Sequence, residues 1–154
     1  MTSRVPVGRS SLSPTFTPDS AWPRNESNPL IARPLDGSPG RTRSLIDYSA
    51  SLRQTREMPI DLMLSGHGDP ITDHVALIDD RLRKHERRKE KIYKLIAERP
   101  RTGYELAQAI WGNVAVTQAF LTLSEVIGHT DLLVNEGRVR ELKEGEVIRY
   151  ATTG

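Results

Sequence analysis

The sequence predicts an α/β segment followed by an α+β unit of three helices and a β-hairpin. Three observations support this prediction. Residues 42–98 run in the order helix, short apolar stretch, glycine-rich turn and helix, which is typical of α/β structure. A capping box at Thr102 begins a second helical region. Two strand-like segments then flank Lys143-Glu144-Gly145-Glu146, a turn with a central glycine, and predict a hairpin.

The composition limits both the core and the chemistry. The chain has 154 residues, enough for one ordinary domain or two very small ones. Hydrophobic residues make up 36% and aromatic residues 5%, a thin supply for a single large core. A formal charge of +2 is too small to indicate nucleic acid by itself. Since there is no cysteine, disulfide frameworks and thiolate metal sites are excluded.

The N-terminal region lacks the features of a membrane or secretory segment. Residues 1–16 contain no apolar stretch of the kind found in a signal peptide, and no run of 18 apolar residues occurs anywhere. We therefore expect a cytoplasmic protein without a membrane partner. The first 40 residues are rich in Ser, Pro, Thr, Arg and Gly, and we expect residues 1–15 to be disordered.

The α/β segment begins with a helix over residues 42–56, where apolar residues fall roughly on one face. Met58-Pro59 ends this helix, and the apolar run Ile60 to Leu64 predicts a short buried strand. Ser65-Gly66-His67-Gly68-Asp69-Pro70 cannot continue the strand, because glycine and proline interrupt regular structure. His67 would therefore stand at a strand end, where a neutral imidazole can bind a metal or transfer a proton. The alternative is a turn in which His67 only caps a neighbouring carbonyl.

A long helix is predicted from an N-cap at Thr72-Asp73 to about Glu98. Its apolar stripe is narrow, and residues 81–91 contain seven Lys or Arg and only two Glu. Such a run is usually a solvated helix face, although basic patches can also bind phosphates. Both interpretations remain open at this point.

The C-terminal unit is predicted element by element. Thr102 and Glu105 begin a short helix that Gly112-Asn113 ends, and a further helix runs from about Ala115 to Asn135. Glu136-Gly137 stops that helix, and strands follow at residues 138–142 and 147–150. Three helices followed by a hairpin is the winged form of the helix-turn-helix, which we assign to residues 81–154, including the long charged helix.

The charge of the later helix argues against DNA recognition. In the usual docking this helix enters the major groove, where Lys and Arg contact bases and phosphates. Residues 115–136 contain no Lys or Arg and carry Glu125, Asp131 and Glu136 instead. We therefore do not expect nucleic acid as a partner, and we interpret the winged unit as a packing or partner-binding module. An interaction or nucleic-acid-binding module remains the alternative function for the chain.

Residues 16–150 resemble the C-terminal end of metallo-β-lactamase-fold hydrolases that carry an appended winged-helix domain. The segments that carry this resemblance are residues 51–52, 61–71, 102–106, 119–129 and 136–139, together with 16–19, 23–24 and 27–30. The resemblance implies that residues 16–80 are an α/β remnant of an αββα metallo-β-lactamase fold, with the winged-helix domain following.

The resemblance also implies metal ligands. In that family a Pro-Gly-His-Gly element supplies the last histidine of a two-metal, usually zinc, site. Here the element reads Ser65-Gly66-His67-Gly68, so His67 would be the ligand. The family's bridging aspartate follows a glycine, whereas Asp19, at the matching position, follows Pro18. Asp19 is therefore either a metal ligand or simply a polar loop residue.

The first half of the family's metal site has no counterpart here. Its signature is His-x-His-x-Asp-His, and none of the four histidines, at 67, 74, 85 and 129, stands in that spacing. The family hydrolyses esters, thioesters or phosphodiesters with zinc, a reaction that needs several protein ligands. We therefore expect a truncated hydrolase that is inactive alone, and whose partner is another copy of the chain or the missing N-terminal half.

Overall fold

The computed structural model describes residues 29–32, 34, 37, 40–64 and 69–154. The expected disorder of residues 1–15 therefore lies outside the described residues. Five helices and one three-stranded antiparallel sheet are found in the described part of the chain. In chain order they are α1 (Ser44–Arg56), α2 (His74–Glu98), β1 (Arg101–Thr102), α3 (Gly103–Trp111), α4 (Val114–Thr117), α5 (Ala119–Asn135), β2 (Val139–Glu144) and β3 (Val147–Thr152).

The predicted helix over residues 42–56 is confirmed as α1, but the buried strand over Ile60–Leu64 is wrong. Leu62 is 54% exposed and Leu64 is 76% exposed. Met63 forms only an isolated antiparallel bridge with Ile71. A short apolar run becomes a buried strand only when neighbouring strands pair with it and cover it. Among the described residues, Ile71 is the one partner that this run finds.

The prediction for α2 is confirmed at both ends. The Asp73 side chain accepts a hydrogen bond from the Ala76 N–H at 2.9 Å, as an N-cap residue does. The helix then runs for 25 residues and ends at Glu98. Pro100 disfavours helical geometry at the residue before it, and Arg99 is accordingly extended. Its buried face includes Ile78, Ile92 and Ile96.

The capping box at the start of α3 is also confirmed. The Glu105 N–H donates to the Thr102 hydroxyl at 3.1 Å, and the Thr102 N–H donates to the Glu105 carboxylate at 2.7 Å. Two backbone donors that would otherwise be unpaired at the helix start are thereby satisfied. The helix ends at Trp111, and its C-cap Gly112 has a φ of 57°, which is accessible mainly to glycine.

The single helix predicted from Ala115 to Asn135 is instead two helices, α4 and α5. They are separated at Gln118, where φ is −124° and ψ is 40°. The Gln118 carbonyl accepts hydrogen bonds from both the Thr122 N–H, at 3.0 Å, and the Thr122 hydroxyl, at 3.1 Å. The break leaves Ala115 fully buried against the core, and this tertiary contact outweighs the continuous helical periodicity of the sequence.

The end of α5 and the hairpin agree with prediction. The Gly137 N–H donates to the Val134 carbonyl and the Arg138 N–H donates to the Leu133 carbonyl, which is a Schellman motif. β2 and β3 are joined by a two-residue turn in which Gly145 has a φ of 64°. β1, which was not predicted, pairs antiparallel with β3, so the strand order is β1-β3-β2.

The main core lies between α2, α3, α5 and the sheet. Its largest fully buried side chains include Ile92, Ile96, Leu106, Val126 and Leu133. Along the described part of the chain, no helix combines the length and apolar character needed to cross a bilayer.

α1 packs onto α5 outside this core. Gly128 makes that packing close, because a Cβ atom there would lie 3.2 Å from the Cβ of Leu45. The Arg41 guanidinium, just before α1, forms two hydrogen bonds with the carboxylate of Asp131, which is only 2% exposed.

Candidate functional site

The predicted metal ligands His67 and Asp19 lie outside the described residues, so their positions stay predictions. The structure does describe the residues on either side of the segment that contains His67. Met63 and Ile71 exchange two backbone hydrogen bonds, each 2.9 Å long. These bonds hold Met63 next to Ile71. The N-cap of α2 at Asp73 follows two residues later, so the loop is attached directly to the long helix.

The described residues do not fit a metal ion. Among them, no group of three or more His, Asp or Glu side chains is close enough to share one. His74, the first residue of α2, is buried, and its Nε2 has no hydrogen-bond partner within the described segments. One imidazole cannot hold zinc, which takes at least three protein ligands in catalytic sites.

The described residues do form a strongly basic pocket beside α2, with a volume of about 290 Å³. We call it the basic pocket. The cations that line it all come from α2, and Glu125 of α5 supplies one carboxylate. The cations are Arg81, Lys84, Arg87, Arg88 and Lys91.

Neighbouring helices orient two of these arginines. The Arg81 guanidinium donates a 2.8 Å hydrogen bond to the Tyr48 hydroxyl of α1. The Arg88 guanidinium lies 3.4 Å from the Glu125 carboxylate and stacks 5.0 Å from the ring centre of Trp111. Because the contacts come from α1, α5 and α3, the tertiary fold determines where these two positive charges lie.

A pair of imidazoles connects the basic pocket to the core. His129 is fully buried, and its Nδ1 lies 2.7 Å from the Glu125 carbonyl. A carbonyl only accepts, so Nδ1 carries the proton and Nε2 of neutral His129 has a lone pair. His85, which lines the pocket, has its Nδ1 at 3.4 Å from that Nε2, where it can donate.

Burial lowers the pKa of His129 to about 4, although its hydrogen bond to the Glu125 carbonyl acts in the opposite direction. The charge of a protonated His85 would lower this pKa further. His129 is therefore neutral at neutral pH and acts as a packing and hydrogen-bonding group.

Sequence reasoning identified the basic run of α2 but not the pocket. The signal for the pocket is the spacing of its cations at three and four residues, which places them on one helix side. The sequence places His85 on the apolar stripe of the long helix and His129 inside the winged unit. Nothing in the sequence indicates that they meet, since 44 positions separate them.

Comparison with known proteins gives related sequences over much of the chain. No protein-family model matches it. A protein of Bacillus subtilis (strain 168), named as a probable metallo-hydrolase, YqjP, is 34% identical over 128 residues, which are 83% of this chain and 40% of that protein.

Two solved structures share the fold. A β-lactamase domain protein from Burkholderia ambifaria is 26% identical, with a TM-score of 0.65 over 73% of this chain and 34% of that one. The metallo-β-lactamase family protein TTHA1429 from Thermus thermophilus is 24% identical, with a TM-score of 0.59 over 71% of this chain and 34% of that one.

These relatives support the metallo-β-lactamase-fold resemblance for much of the chain. The chain spans about 40% of the length of the curated relative and about a third of each solved structure.

Proposed function

We propose that this chain is the C-terminal portion of a metallo-β-lactamase-superfamily hydrolase and is inactive by itself. The observation that carries the proposal is the 34% identity to a probable metallo-hydrolase over 83% of the chain. The reaction of the joined protein would be zinc-dependent hydrolysis of an ester, thioester or phosphodiester. His67 and Asp19 would be two ligands of its metal site, and the remaining ligands would come from the missing half.

Exposed apolar side chains support the proposal that another polypeptide covers part of this surface. Leu62 and Leu64, next to the loop of His67, are 54% and 76% exposed. A second exposed group lies on α4 and the first turn of α5, and consists of Val114, Val116, Phe120 and Leu121. Contiguous apolar surface usually marks an interaction site. We propose that the missing half covers at least the Leu62–Leu64 segment.

We also propose that residues 81–154 form a winged-helix domain that mediates protein contacts. The order of helices, the two-residue hairpin and the strand order β1-β3-β2 support this assignment. α5 contains no Lys or Arg, and its His129, Thr130 and Asp131 are buried rather than available to a DNA groove. These observations favour an interaction domain over a DNA reader.

The test joins this chain to the polypeptide encoded directly upstream. We expect that polypeptide to contain His-x-His-x-Asp-His, and the joined protein to bind zinc and hydrolyse p-nitrophenyl acetate or bis(p-nitrophenyl) phosphate. The isolated chain should hold less than about a tenth of a zinc ion per molecule after dialysis, because two ligands cannot retain the metal. Elemental analysis measures the zinc content in both cases.

His67→Ala tests the loop within the joined protein. We expect it to lower zinc content and hydrolysis together, whereas the matched control Asp69→Asn, an exposed residue of the same loop, should leave both unchanged. An upstream polypeptide without the histidine motif would contradict the proposal. Stoichiometric zinc and hydrolysis by the isolated chain would contradict its incompleteness.

A further inference from the structure

We propose that the basic pocket binds a small ligand carrying two or more linked phosphate groups, such as a nucleoside diphosphate or triphosphate. This binding site is separate from the loop of His67 and does not depend on the proposed hydrolase function. Four observations carry the proposal: the imbalance of charge, the spacing of the cations, their prior orientation and the concave shape.

The charge imbalance is local to the basic pocket. Five cations line it with one carboxylate, which lies 3.4 Å from Arg88. Lys84 also contacts Asp80 of the same helix at 3.2 Å. Among the described residues, Arg87 and Lys91 have no ion-pair partner. On the neighbouring face of α2, by contrast, Lys89 contacts Glu86 at 2.9 Å as well as Glu136.

The spacing of the cations is unfavourable for an isolated helix. Lys84 and Arg88, and likewise Arg87 and Lys91, stand four residues apart, where like charges destabilise a helix. An anion bound between them would remove this repulsion. Arg81 and Arg88 are seven residues apart, or about 10 Å along the helix axis. Such a span favours a chain of phosphates over a single phosphate.

Two of the pocket's arginine side chains are held in place by neighbouring residues before a ligand binds. Tyr48 holds the guanidinium of Arg81, and Glu125 with Trp111 holds that of Arg88. Guanidinium groups bind phosphate oxygens through two parallel hydrogen bonds, and fixing them beforehand lowers the entropic cost of binding.

The shape favours a small ligand over a polymer. The pocket is concave and its volume of about 290 Å³ is at the lower limit for small-molecule sites. It can therefore enclose the phosphates while the rest of the ligand extends into solvent. Nucleic acid would bind along a longer row of unpaired cations. Beside the pocket the cations are instead paired with carboxylates, as Arg138 is with Glu90.

Isothermal titration calorimetry of the chain tests the proposal with three probes: inorganic phosphate, inorganic pyrophosphate and a nucleoside triphosphate. We expect affinity to rise in that order and to fall as salt is added. The pocket variant Arg87→Gln/Lys91→Gln should weaken triphosphate binding at least about tenfold, since charge-assisted hydrogen bonds are lost. Both residues are exposed, so the fold should survive, which circular dichroism checks.

The matched control is Arg83→Gln/Lys94→Gln, which removes the same charge from exposed positions of α2 outside the basic pocket. It should change triphosphate affinity less than about twofold, because general electrostatics alone have a small effect at moderate salt. Equal losses in the two variants, or no binding of pyrophosphate and triphosphate by the unaltered chain, would overturn the proposal. A single-stranded oligonucleotide that binds more tightly than the triphosphate would also overturn it, in favour of nucleic acid.

Discussion

At the scale of single residues, buried polar groups define the most constrained part of this protein. His129 is fully enclosed, yet both of its ring nitrogens have partners, one a carbonyl and the other an imidazole. A buried polar group that lacks a hydrogen-bond partner is costly, so both contacts favour the buried position of this ring. The neutral form of His129 satisfies this network, and burial penalises the charged form, which lowers the pKa.

The pKa of His129 predicts a pH dependence of stability. Its folded-state pKa of about 4 lies below the usual value of 6.5, so the unfolded chain takes up the proton first as the pH falls. The free energy of unfolding should therefore decrease between about pH 6.5 and pH 4, by up to about 3 kcal/mol from this group. Urea denaturation across this pH range measures the decrease.

The control for this prediction is His129→Gln, whose amide can still donate to the Glu125 carbonyl but does not titrate. Other carboxylates also lose stability in acid, so the relevant quantity is the difference between the two pH profiles. Parallel profiles for the unaltered chain and the variant would show that His129 is not the titrating group.

At the scale of elements, local chemistry begins and ends the helices as the sequence predicts. Three helix ends have the caps that their residue types predict: the N-cap Asp73, the Thr102–Glu105 capping box and Gly137. Each cap forms between residues only a few positions apart in the chain. The hydrogen bond from the Thr102 N–H, followed by those from the Arg99 and Thr102 side chains, lowers the pKa of Glu105 to about 2. The capping carboxylate is therefore ionised at any pH near neutral.

The capping box gives a prediction at this scale. Thr102→Ala removes the hydroxyl that accepts the Glu105 N–H and should lower the free energy of unfolding by about 1 kcal/mol. Thr102→Ser keeps a hydroxyl in the same place and should remain close to the unaltered chain. Urea denaturation compares the three proteins, and an equal loss for alanine and serine would contradict a capping role.

At the scale of the whole molecule, α1 is tied to the C-terminal unit by contacts between distant positions. Arg41 and Asp131 are 90 positions apart, and Leu45 contacts the backbone of α5 closely at Gly128. Hydrogen bonding with Asp131 raises the pKa of the Arg41 side chain, which is charged throughout the accessible range. Arg41 and α1 therefore pack onto the later unit.

Arg41→Met tests this attachment. It leaves the Asp131 carboxylate buried without its cation and should lower the free energy of unfolding by about 3 kcal/mol or more. Arg41→Met/Asp131→Asn should recover part of that loss, because no buried charge remains unpaired. The matched control is Arg56→Met, whose partner Asp79 is 34% exposed, and it should cost less. Equal losses at the two arginines, measured by urea denaturation, would contradict the importance of burial.

Most helix limits, the caps and the hairpin could be predicted from the sequence, because these features depend on interactions between residues close in the chain. The resemblance of the sequence to metallo-β-lactamase-fold proteins is supported by relatives that match much of this chain. The folded chain was needed to show that Leu62 and Leu64 are exposed, that the long predicted helix breaks at Gln118, and that His85 meets His129. It also placed Tyr48, Trp111 and Glu125 around the arginines of α2. Burial and contacts between distant residues depend on which surfaces pack together, and the local periodicity of the sequence does not determine which surfaces those are.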